Sequence, residues 1–365
     1  MSVMCYGARM STASPRPTLI TVQYLRAAAA LMVLLHHARN PKPWLFDPMV
    51  GWNFTFGVEI FFVISGFIMY AAARHEAPVE FVRRRLIRVV PLYWIATLTL
   101  VVWGVFREWP APDGGHLLAS LLMVAHEDPQ HPGLAWPVLI PGWTLNYEVF
   151  FYGVFAVGLA LRRVTLVSAG VLLALVAAGF ALSPADAVLK SYTSPILLAF
   201  LAGLGIAWLQ ARTVFDRAWP LAPIAGAVLL AHATPWIELP KLAVLGLSAL
   251  LVAGALGLEV QARTRPSRVL GLLGDASYAI YLFHTLVLSA ASWWVKGLPL
   301  SGWPQFIVAM AAGMGASVAA GVAIHLWVEK PMLKVLLRIG RPLRAPPASL
   351  PTAAEAPAPD IAKAA

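Results

Sequence analysis

The sequence predicts an all-α polytopic integral membrane protein with about ten transmembrane helices and both termini in the cytoplasm. The 365 residues are 59% hydrophobic and only 12% charged, with a mean hydropathy of +0.73. Soluble proteins carry about twice that charged fraction. The apolar residues fall in blocks of about 17–25, the length that a helix needs to cross a bilayer. These observations exclude a soluble enzyme and a disordered chain.

The apolar blocks define the predicted spans in chain order. They are 19–38, 54–73, 87–106, 143–161, 164–182, 193–209, 220–233, 242–258, 277–295 and 305–328. Residues 116–125 are too few to cross a bilayer and predict a re-entrant or interfacial segment. Residues 19–335 then form one transmembrane domain between a cytoplasmic N-terminal tail, 1–18, and a disordered Pro/Ala-rich cytoplasmic tail, 336–365.

The distribution of basic residues predicts the orientation. Of the 27 Lys and Arg residues, 20 lie in the tails and loops placed inside, and six lie in the loops placed outside. The positive-inside rule therefore favours ten helices with both termini in the cytoplasm. The same distribution explains the net charge of +10 without a nucleic-acid partner. Because Cys5 is the single cysteine, no intramolecular disulfide and no multi-cysteine metal site is expected, and we predict no metal.

Ionisable side chains at membrane depth are candidates for function because they are costly to bury there. Arg26 and His37 are 11 residues apart in the first span, which places them on one helix face about 16 Å apart along the axis. A neutral imidazole can accept a proton from an attacking hydroxyl. The alternative is a snorkelling arginine and an interfacial histidine. His36 points about 80° away, as a packing or interfacial residue.

Two carboxylates occur in the outer halves of their spans, Glu59 and Glu148. Either could orient an imidazole, as the carboxylate of a catalytic triad does, or each could belong to a structural ion pair. Ser65 is expected to be a helix-packing hydroxyl rather than a nucleophile, because no adjacent base is evident. Trp143 fits an aromatic belt or a sugar-stacking surface.

The basic run at 83–88 could hold a phosphorylated ligand on the cytoplasmic side. Planar guanidinium groups bind phosphate oxygens in pairs, which makes Arg84, Arg85 and Arg88 candidates together with Arg26. The alternative is purely topogenic charge.

Near the end of the chain, Asp275 or Ser277 is expected to cap a helix in which His284 lies about two turns along. Pro331 is expected to end the last helix. His284 itself could be a packed, hydrogen-bonded residue or part of the site.

Six motifs occur in the same order as in the membrane acyltransferase-3 family of bacterial O-acyltransferases, and the chain resembles that family. They run from about Leu25 to Met332 and read LRAAAALMVLLHH, FGVEIFFVISGF, RRRLIRVVPLYW, WTLNYEVFFY, LGDASYAIYLFH and VEKP. The resemblance is greatest to the subgroup that acylates exopolysaccharides, of the succinoglycan acetyltransferase kind.

The resemblance assigns the family's Arg-x10-His signature to Arg26 and His37, and the acidic residue before FFVxSG to Glu59. It also assigns the arginine of the third motif to Arg88. The glutamate of the WxLxxE motif is Glu148, and the late histidine is His284.

The resemblance implies transfer of an acyl group, with acetyl expected, from acyl-CoA to a hydroxyl of an exopolysaccharide or another cell-surface glycan. The partners expected are acetyl-CoA as a co-substrate, with no permanently bound cofactor, a glycan or polyprenyl-linked oligosaccharide as acceptor, and the lipid bilayer. His37 is the expected base, oriented by Glu59 or Glu148, although a covalent acyl-histidine route stays open. A competing hypothesis is a non-enzymatic transporter or flippase for a lipid-linked glycan, because buried Arg, His and Glu also suit a proton-coupled pathway.

Overall fold

A computed structural model describes residues 19–39, 45–212, 215–261 and 265–339. Within these ranges the regular structure is helical, and the sole β feature is one isolated bridge between Asp128 and His131. The helices are α1 Ile20–Ala38, α2 Gly57–Ala73, α3 Pro78–Phe106, α4 Gly114–Leu121, α5 Trp143–Ala160, α6 Val164–Leu182, α7 Ala187–Tyr192, α8 Leu197–Gln210, α9 Leu221–His232, α10 Lys241–Val260, α11 Arg268–Lys296, α12 Gly302–Ile324 and α13 Lys330–Leu336. The predicted tail 1–18 and most of the tail 336–365 lie outside the described residues.

Among the described residues, six helical segments are long and apolar enough to cross a membrane, which makes the chain a multi-pass membrane protein. They are Pro78–Phe106, Val164–Leu182, Ala187–Gln210, Lys241–Val260, Arg268–Lys296 and Gly302–Leu336. Helices α2 and α9 are apolar but shorter. Helices α1 and α5 reach 19 and 18 residues. They are less apolar than the six segments above because they contain polar residues such as Arg26 and Glu148. The count of about ten and the orientation of the termini stay predictions.

Two expected boundaries are wrong. Helix α11 begins at Arg268 and is capped by the Ser267 hydroxyl, which accepts from the Leu270 N–H. Asp275 and Ser277 therefore lie inside the helix, where Asp275 accepts a hydrogen bond from the Gln23 amide of α1 at 3.0 Å. A polar residue mid-helix here serves a helix–helix contact rather than a cap.

Pro331 does not end the last helix. A π turn at His325–Glu329 follows α12, and α13 continues from Lys330 with Pro331 in its first turn. A proline is tolerated in the first turn because a backbone N–H at that position would have no acceptor within the helix, so no hydrogen bond is lost. The His325 Nδ1 lies 2.7 Å from the Glu329 carboxylate within the turn.

Small residues let the central helices approach closely. A Cβ on Gly66 of α2 would collide with the Phe200 carbonyl of α8, and one on Gly203 of α8 would collide with the Val63 carbonyl of α2. Gly274 of α11 meets the backbone of Gln23 of α1 in the same way. Glycine contacts of this kind are the usual way in which membrane helices pack, because van der Waals contact rather than burial from water holds them together.

The start of α1 is held by a carboxylate from another helix. Glu259 of α10 accepts from the Ile20 N–H at 2.7 Å and from the Thr21 N–H at 3.0 Å, and also from the Thr21 hydroxyl. Helix starts leave backbone N–H groups without partners and favour negative charge. Glu259 thus supplies a cap that Leu19, at the N-cap position, cannot make.

We predict that Glu259→Ala destabilises the protein by about 2 kcal/mol, because three donors at the start of α1 lose their acceptor. Thermal unfolding of the purified protein in detergent measures the effect. Glu238→Ala is the matched control, since Glu238 is exposed on a loop. Equal melting temperatures for the two variants would contradict the role of Glu259 as a cap.

Candidate active site

A cavity of about 440 Å³ lies between α1, α2, α3, α5 and α11. It extends from the end of the bundle where α1 begins toward the end where α1 finishes. The wall formed by α2 is apolar except for Ser65, and the other helices carry the remaining polar groups. The polar and charged lining residues are Gln23, Arg26, Ser65, Arg85, Arg88, Thr144, Glu148, Tyr152, Ser277, Tyr278 and Tyr281.

Three guanidinium groups line this cavity without an ion-pair partner among the described residues: Arg26, Arg85 and Arg88. Arg26 makes only a long contact of 3.5 Å with the Gln23 side chain, and Arg85 lies over the Phe81 ring at 5.6 Å. Unpaired cations inside a bundle are unfavourable unless an anion or water reaches them. The cavity must therefore admit water or an anion.

Arg84, predicted to act with these arginines, lies elsewhere. Its guanidinium pairs with Glu76 and with Glu80, the latter at 3.5 Å, and its side chain is 44% exposed. The structure thus brings together three of the four arginines expected to bind phosphate.

Glu148 is the carboxylate that lines the cavity. Its Oε1 accepts from the Tyr152 hydroxyl at 2.6 Å and from the Ser65 hydroxyl at 3.3 Å. Residues four apart on α5 bring Glu148 and Tyr152 together, and Ser65 reaches the pair from α2. Ser65 is therefore a hydrogen-bond donor to Glu148, in keeping with a packing hydroxyl. The negative charge of Glu148 partly balances the three arginines across the cavity.

The cavity ends at the Tyr281 side chain. The Tyr281 hydroxyl lies 3.0 Å from the Thr144 hydroxyl and 3.1 Å from the Pro141 carbonyl. The Phe61 ring packs on Tyr281 with ring centroids 5.9 Å apart. We name Phe61, Thr144 and Tyr281 the partition, because they separate the cavity from the histidines beyond it.

His37 and His284 form a contact pair beyond the partition. His37 Nδ1 lies 2.9 Å from the Val33 carbonyl and 3.3 Å from His284 Nε2, while His284 Nδ1 lies 2.6 Å from the Tyr281 carbonyl. Carbonyl oxygens only accept, so both Nδ1 atoms carry a proton when the rings are neutral. His284 Nε2 then accepts from His37, which leaves His37 Nε2 with a free lone pair. His37 is exposed, so this lone pair is accessible.

Neither carboxylate predicted to orient His37 forms a hydrogen bond with it in the described part of the chain. Glu148 lies in the cavity on the other side of the partition. Glu59 lies outside the cavity lining and shares a face of α2 with Gly66, which packs against α8. Its Oε2 is buried without a partner in the described ranges. The groups that orient His37 are the Val33 carbonyl and His284.

Tyr278 and Tyr281 contribute to the site although the sequence did not single out either as a site residue. Tyr278 donates to the Val89 carbonyl of α3 at 2.7 Å and lines the cavity, and Tyr281 closes it. Tyrosines are common in membrane helices as interfacial residues, so residue type alone gives no signal for them. The signal that was present is their spacing, because Tyr278, Tyr281 and His284 follow one another at intervals of three residues, each about 60° around the helix from the next.

A second pocket, of about 240 Å³, lies at the opposite end of the bundle from the start of α1. Trp143 lines it, beside Asn146 and Tyr147, and a loop over 125–136 forms one wall. The buried Asp128 carboxylate holds this loop by accepting from the Gln130 N–H at 2.9 Å and contacting His131 Nδ1 at 2.7 Å. Across the described residues, no group of three or more His, Cys, Asp or Glu side chains could hold a metal ion.

Comparison with known proteins matches residues 19–322 to the acyltransferase-3 model, described as an acyltransferase domain. The chain belongs to the acyltransferase-3 family. It is 39% identical to the exopolysaccharide production protein ExoZ of Rhizobium meliloti over 307 residues. This alignment covers 78% of the present chain and 92% of ExoZ. It is 28% identical to the acyltransferase MdmB of Streptomyces mycarofaciens over an alignment of 383 positions, which covers 93% of the present chain and 97% of MdmB. No solved structure matches. The protein is therefore an O-acyltransferase, and the predicted family is confirmed.

We predict that the loop held by Asp128 loosens in acid. Burial of Asp128 opposes ionisation, but hydrogen bonds from the Gln130 N–H and His131 outweigh it and hold the pKa of this carboxyl below its ordinary value. A lowered pKa stabilises the fold above the ordinary value of about 4 and loses this effect as the pH falls through the lowered pKa.

The difference in melting temperature between the wild-type protein and Asp128→Asn should thus be greatest at neutral pH and shrink well below pH ~4. A constant difference across this range would contradict the role of the ionised carboxylate.

Proposed function

We propose that this enzyme transfers an acyl group, acetyl being the expected one, from acyl-CoA to a hydroxyl of an exopolysaccharide at the bacterial inner membrane. The observation that carries the proposal is a cavity lined by three arginines that form no ion pair among the described residues, with a histidine that has a free lone pair beyond the partition. One end of this arrangement suits a nucleotide, and the other suits the activation of a hydroxyl.

The arginines are the proposed binding site for the nucleotide phosphates of acyl-CoA. Arg26, Arg85 and Arg88 line one cavity and form no ion pair with a carboxylate in the described ranges. Guanidinium groups bind phosphate oxygens through paired, charge-assisted hydrogen bonds. Arg26 and His37 are 11 residues apart on α1, about 16 Å along the axis. The extended pantetheine arm of CoA is suited to cross this distance and to carry its thioester toward His37.

His37 is the proposed general base. Its Nε2 accepts the proton of the acceptor hydroxyl while the hydroxyl oxygen attacks the thioester carbonyl carbon. The tetrahedral intermediate then collapses, its carbon–sulfur bond breaks, and the departing CoA sulfur takes the proton from His37. His284 orients the ring of His37 through Nδ1, in the position that a carboxylate occupies in other triads.

The proposed acceptor follows from the family and from the exopolysaccharide production protein that is 39% identical to this chain. A growing glycan carried on a polyprenyl lipid fits as well, because it presents the same sugar hydroxyls at the membrane surface. The positive-inside orientation would place His37 on the outer side of the membrane, where such glycans are assembled, and the arginines on the cytoplasmic side, where acyl-CoA is found.

We predict that His37→Ala lowers acyl transfer about a hundredfold or more, since a positioned base contributes that much. The assay uses detergent-solubilised membranes, which expose both sides of the protein, and follows label from acetyl-CoA into base-deacylated exopolysaccharide of the source cell. His36→Ala is the matched control, because His36 accepts only a long bond from the Phe54 N–H at 3.4 Å. Normal transfer by His37→Ala would overturn the proposed base. No transfer by the wild-type protein would instead overturn the proposed pair of acetyl-CoA as donor and this exopolysaccharide as acceptor.

We also predict that Arg88→Ala raises the KM for acetyl-CoA about tenfold or more, because charge-assisted hydrogen bonds to phosphate are lost. Arg84→Ala should leave this KM unchanged, as Arg84 is paired with Glu76 and Glu80 outside the cavity. A short acetyl thioester that lacks the nucleotide should show the same KM with the wild-type protein and with Arg88→Ala. If Arg88→Ala impairs both donors equally, Arg88 does not bind the phosphates.

A further inference from the structure

The second pocket is separate from the arginine cavity and from the histidine pair. It lies between the loop 125–136, the first turn of α5 and the segment 187–194 that contains α7. Its volume of about 240 Å³ is smaller than that of the arginine cavity. Neither the proposed donor site nor the proposed base uses it.

Four aromatic side chains line this pocket. Trp136, Trp143, Tyr147 and Tyr192 line it, with Trp143 and Tyr147 edge to face at 5.8 Å. The Trp136 ring packs against His131 at 5.2 Å, so the loop held by Asp128 also holds this wall. Aromatic rings with a polar edge are suited to ligands that are part apolar and part hydroxylated. The C–H faces of a sugar ring are such a surface.

Asn146 supplies the polar group that the pocket leaves unsatisfied. Its side chain lines the pocket, the residue is only 4% exposed, and its Oδ1 has no hydrogen-bond partner among the described residues. A buried acceptor without a donor is unfavourable by about 1–3 kcal/mol, and native structures rarely contain one without a reason. Oδ1 accepts only, so the missing partner is a donor, such as a sugar hydroxyl. Ser191, Ser194 and Lys190 add further polar groups at the wall.

The pocket lies on the same side of the protein as His37. The Pro141 carbonyl, just before α5, accepts a hydrogen bond from the Tyr281 hydroxyl. The Tyr281 ring centroid lies 5.9 Å from that of His284, and His284 contacts His37. On α5, Thr144 of the partition and Asn146 of the pocket are about 200° apart around the helix. The histidine pair and the pocket thus flank the first turn of α5, about one helix diameter or 10 Å apart. A glycan of a few units spans such a distance.

We infer that this pocket is an acceptor subsite that binds a sugar unit of the glycan next to the unit being acylated. The inference rests on the proposed function and deepens it, since it assigns glycan binding to a place distinct from the catalytic base. Trp136 and Trp143 stack against the sugar ring, and Asn146 Oδ1 accepts from one of its hydroxyls. The pocket selects the glycan and plays no part in proton transfer.

The test compares two acceptors and two variants of the full-length enzyme in detergent. The acceptors are oligosaccharides released from the base-deacylated exopolysaccharide of the source cell, and the monosaccharides of the same polymer. Asn146→Leu and Trp136→Ala should each raise the KM for the oligosaccharides about tenfold, or about 1.4 kcal/mol. Their kcat, their KM for acetyl-CoA and their activity with the monosaccharides should stay at the wild-type level, because a single sugar at His37 does not reach the pocket.

Two controls separate this role from a structural one. Asn146→Leu should melt at or above the wild-type temperature, because an unpaired buried polar atom is replaced by an apolar side chain of similar size. Trp236→Ala removes an exposed tryptophan outside the pocket and should leave every kinetic constant unchanged.

An unchanged KM for the oligosaccharides in both pocket variants would overturn the subsite, as would equal losses with oligosaccharides and monosaccharides. A pocket that binds a lipid headgroup would give the first of these results. A wild-type enzyme that acylates no saccharide from this polymer would refute the proposed acceptor itself, which is a different outcome from a change confined to the variants.

Discussion

The positive charge of Arg26, Arg85 and Arg88 is the constraint on which the rest of the site depends. Three guanidinium groups without a paired carboxylate cannot lie in a dry helix bundle, so the helices around them must leave a space for water or an anion. That space is the cavity between α1, α2, α3, α5 and α11. It also explains why α1 and α5, which carry polar residues toward this space, are less apolar than α6 and α12, which carry few.

The histidine pair depends in turn on how closely α1 and α11 pack. Gly274 allows the backbone of α11 to meet that of α1 at Gln23, and Gly321 of α12 meets Ile280 of α11 from behind. This packing brings His284 against His37, and main-chain carbonyls of Val33 and Tyr281 fix the two rings. Main-chain groups of a helix do not rotate, so the lone pair of His37 is oriented before any substrate binds. Such preorganisation is what a positioned base requires.

The helices and the participants in the site could largely be predicted from the sequence, because each rests on local information. Apolar length predicts a helix, and an arginine or histidine in an apolar block is conspicuous wherever it lies. The partners of these residues could not be predicted, since they depend on which helices are neighbours. The sequence contexts of Glu59 and Glu148 are similar, yet Glu148 lines the cavity and Glu59 does not. Arg84 and Arg85 are adjacent, and a rotation of 100° decides that one pairs with Glu76 while the other lines the cavity.

The partition separates the arginine cavity from His37 and so limits the passage of protons and ions between them. A continuous wet path from the arginine cavity to the exposed His37 would carry protons and ions through the bundle. Phe61, Thr144 and Tyr281 interrupt that path with a ring contact and hydroxyl hydrogen bonds. Each of these neutral hydrogen bonds contributes only about 0.5–1.5 kcal/mol to stability. Several charge-assisted contacts to phosphate contribute more than that. In the proposed reaction, an acyl chain that extends from the arginine cavity to His37 has to pass the Tyr281 side chain, so these weak contacts are the ones that the acyl chain replaces.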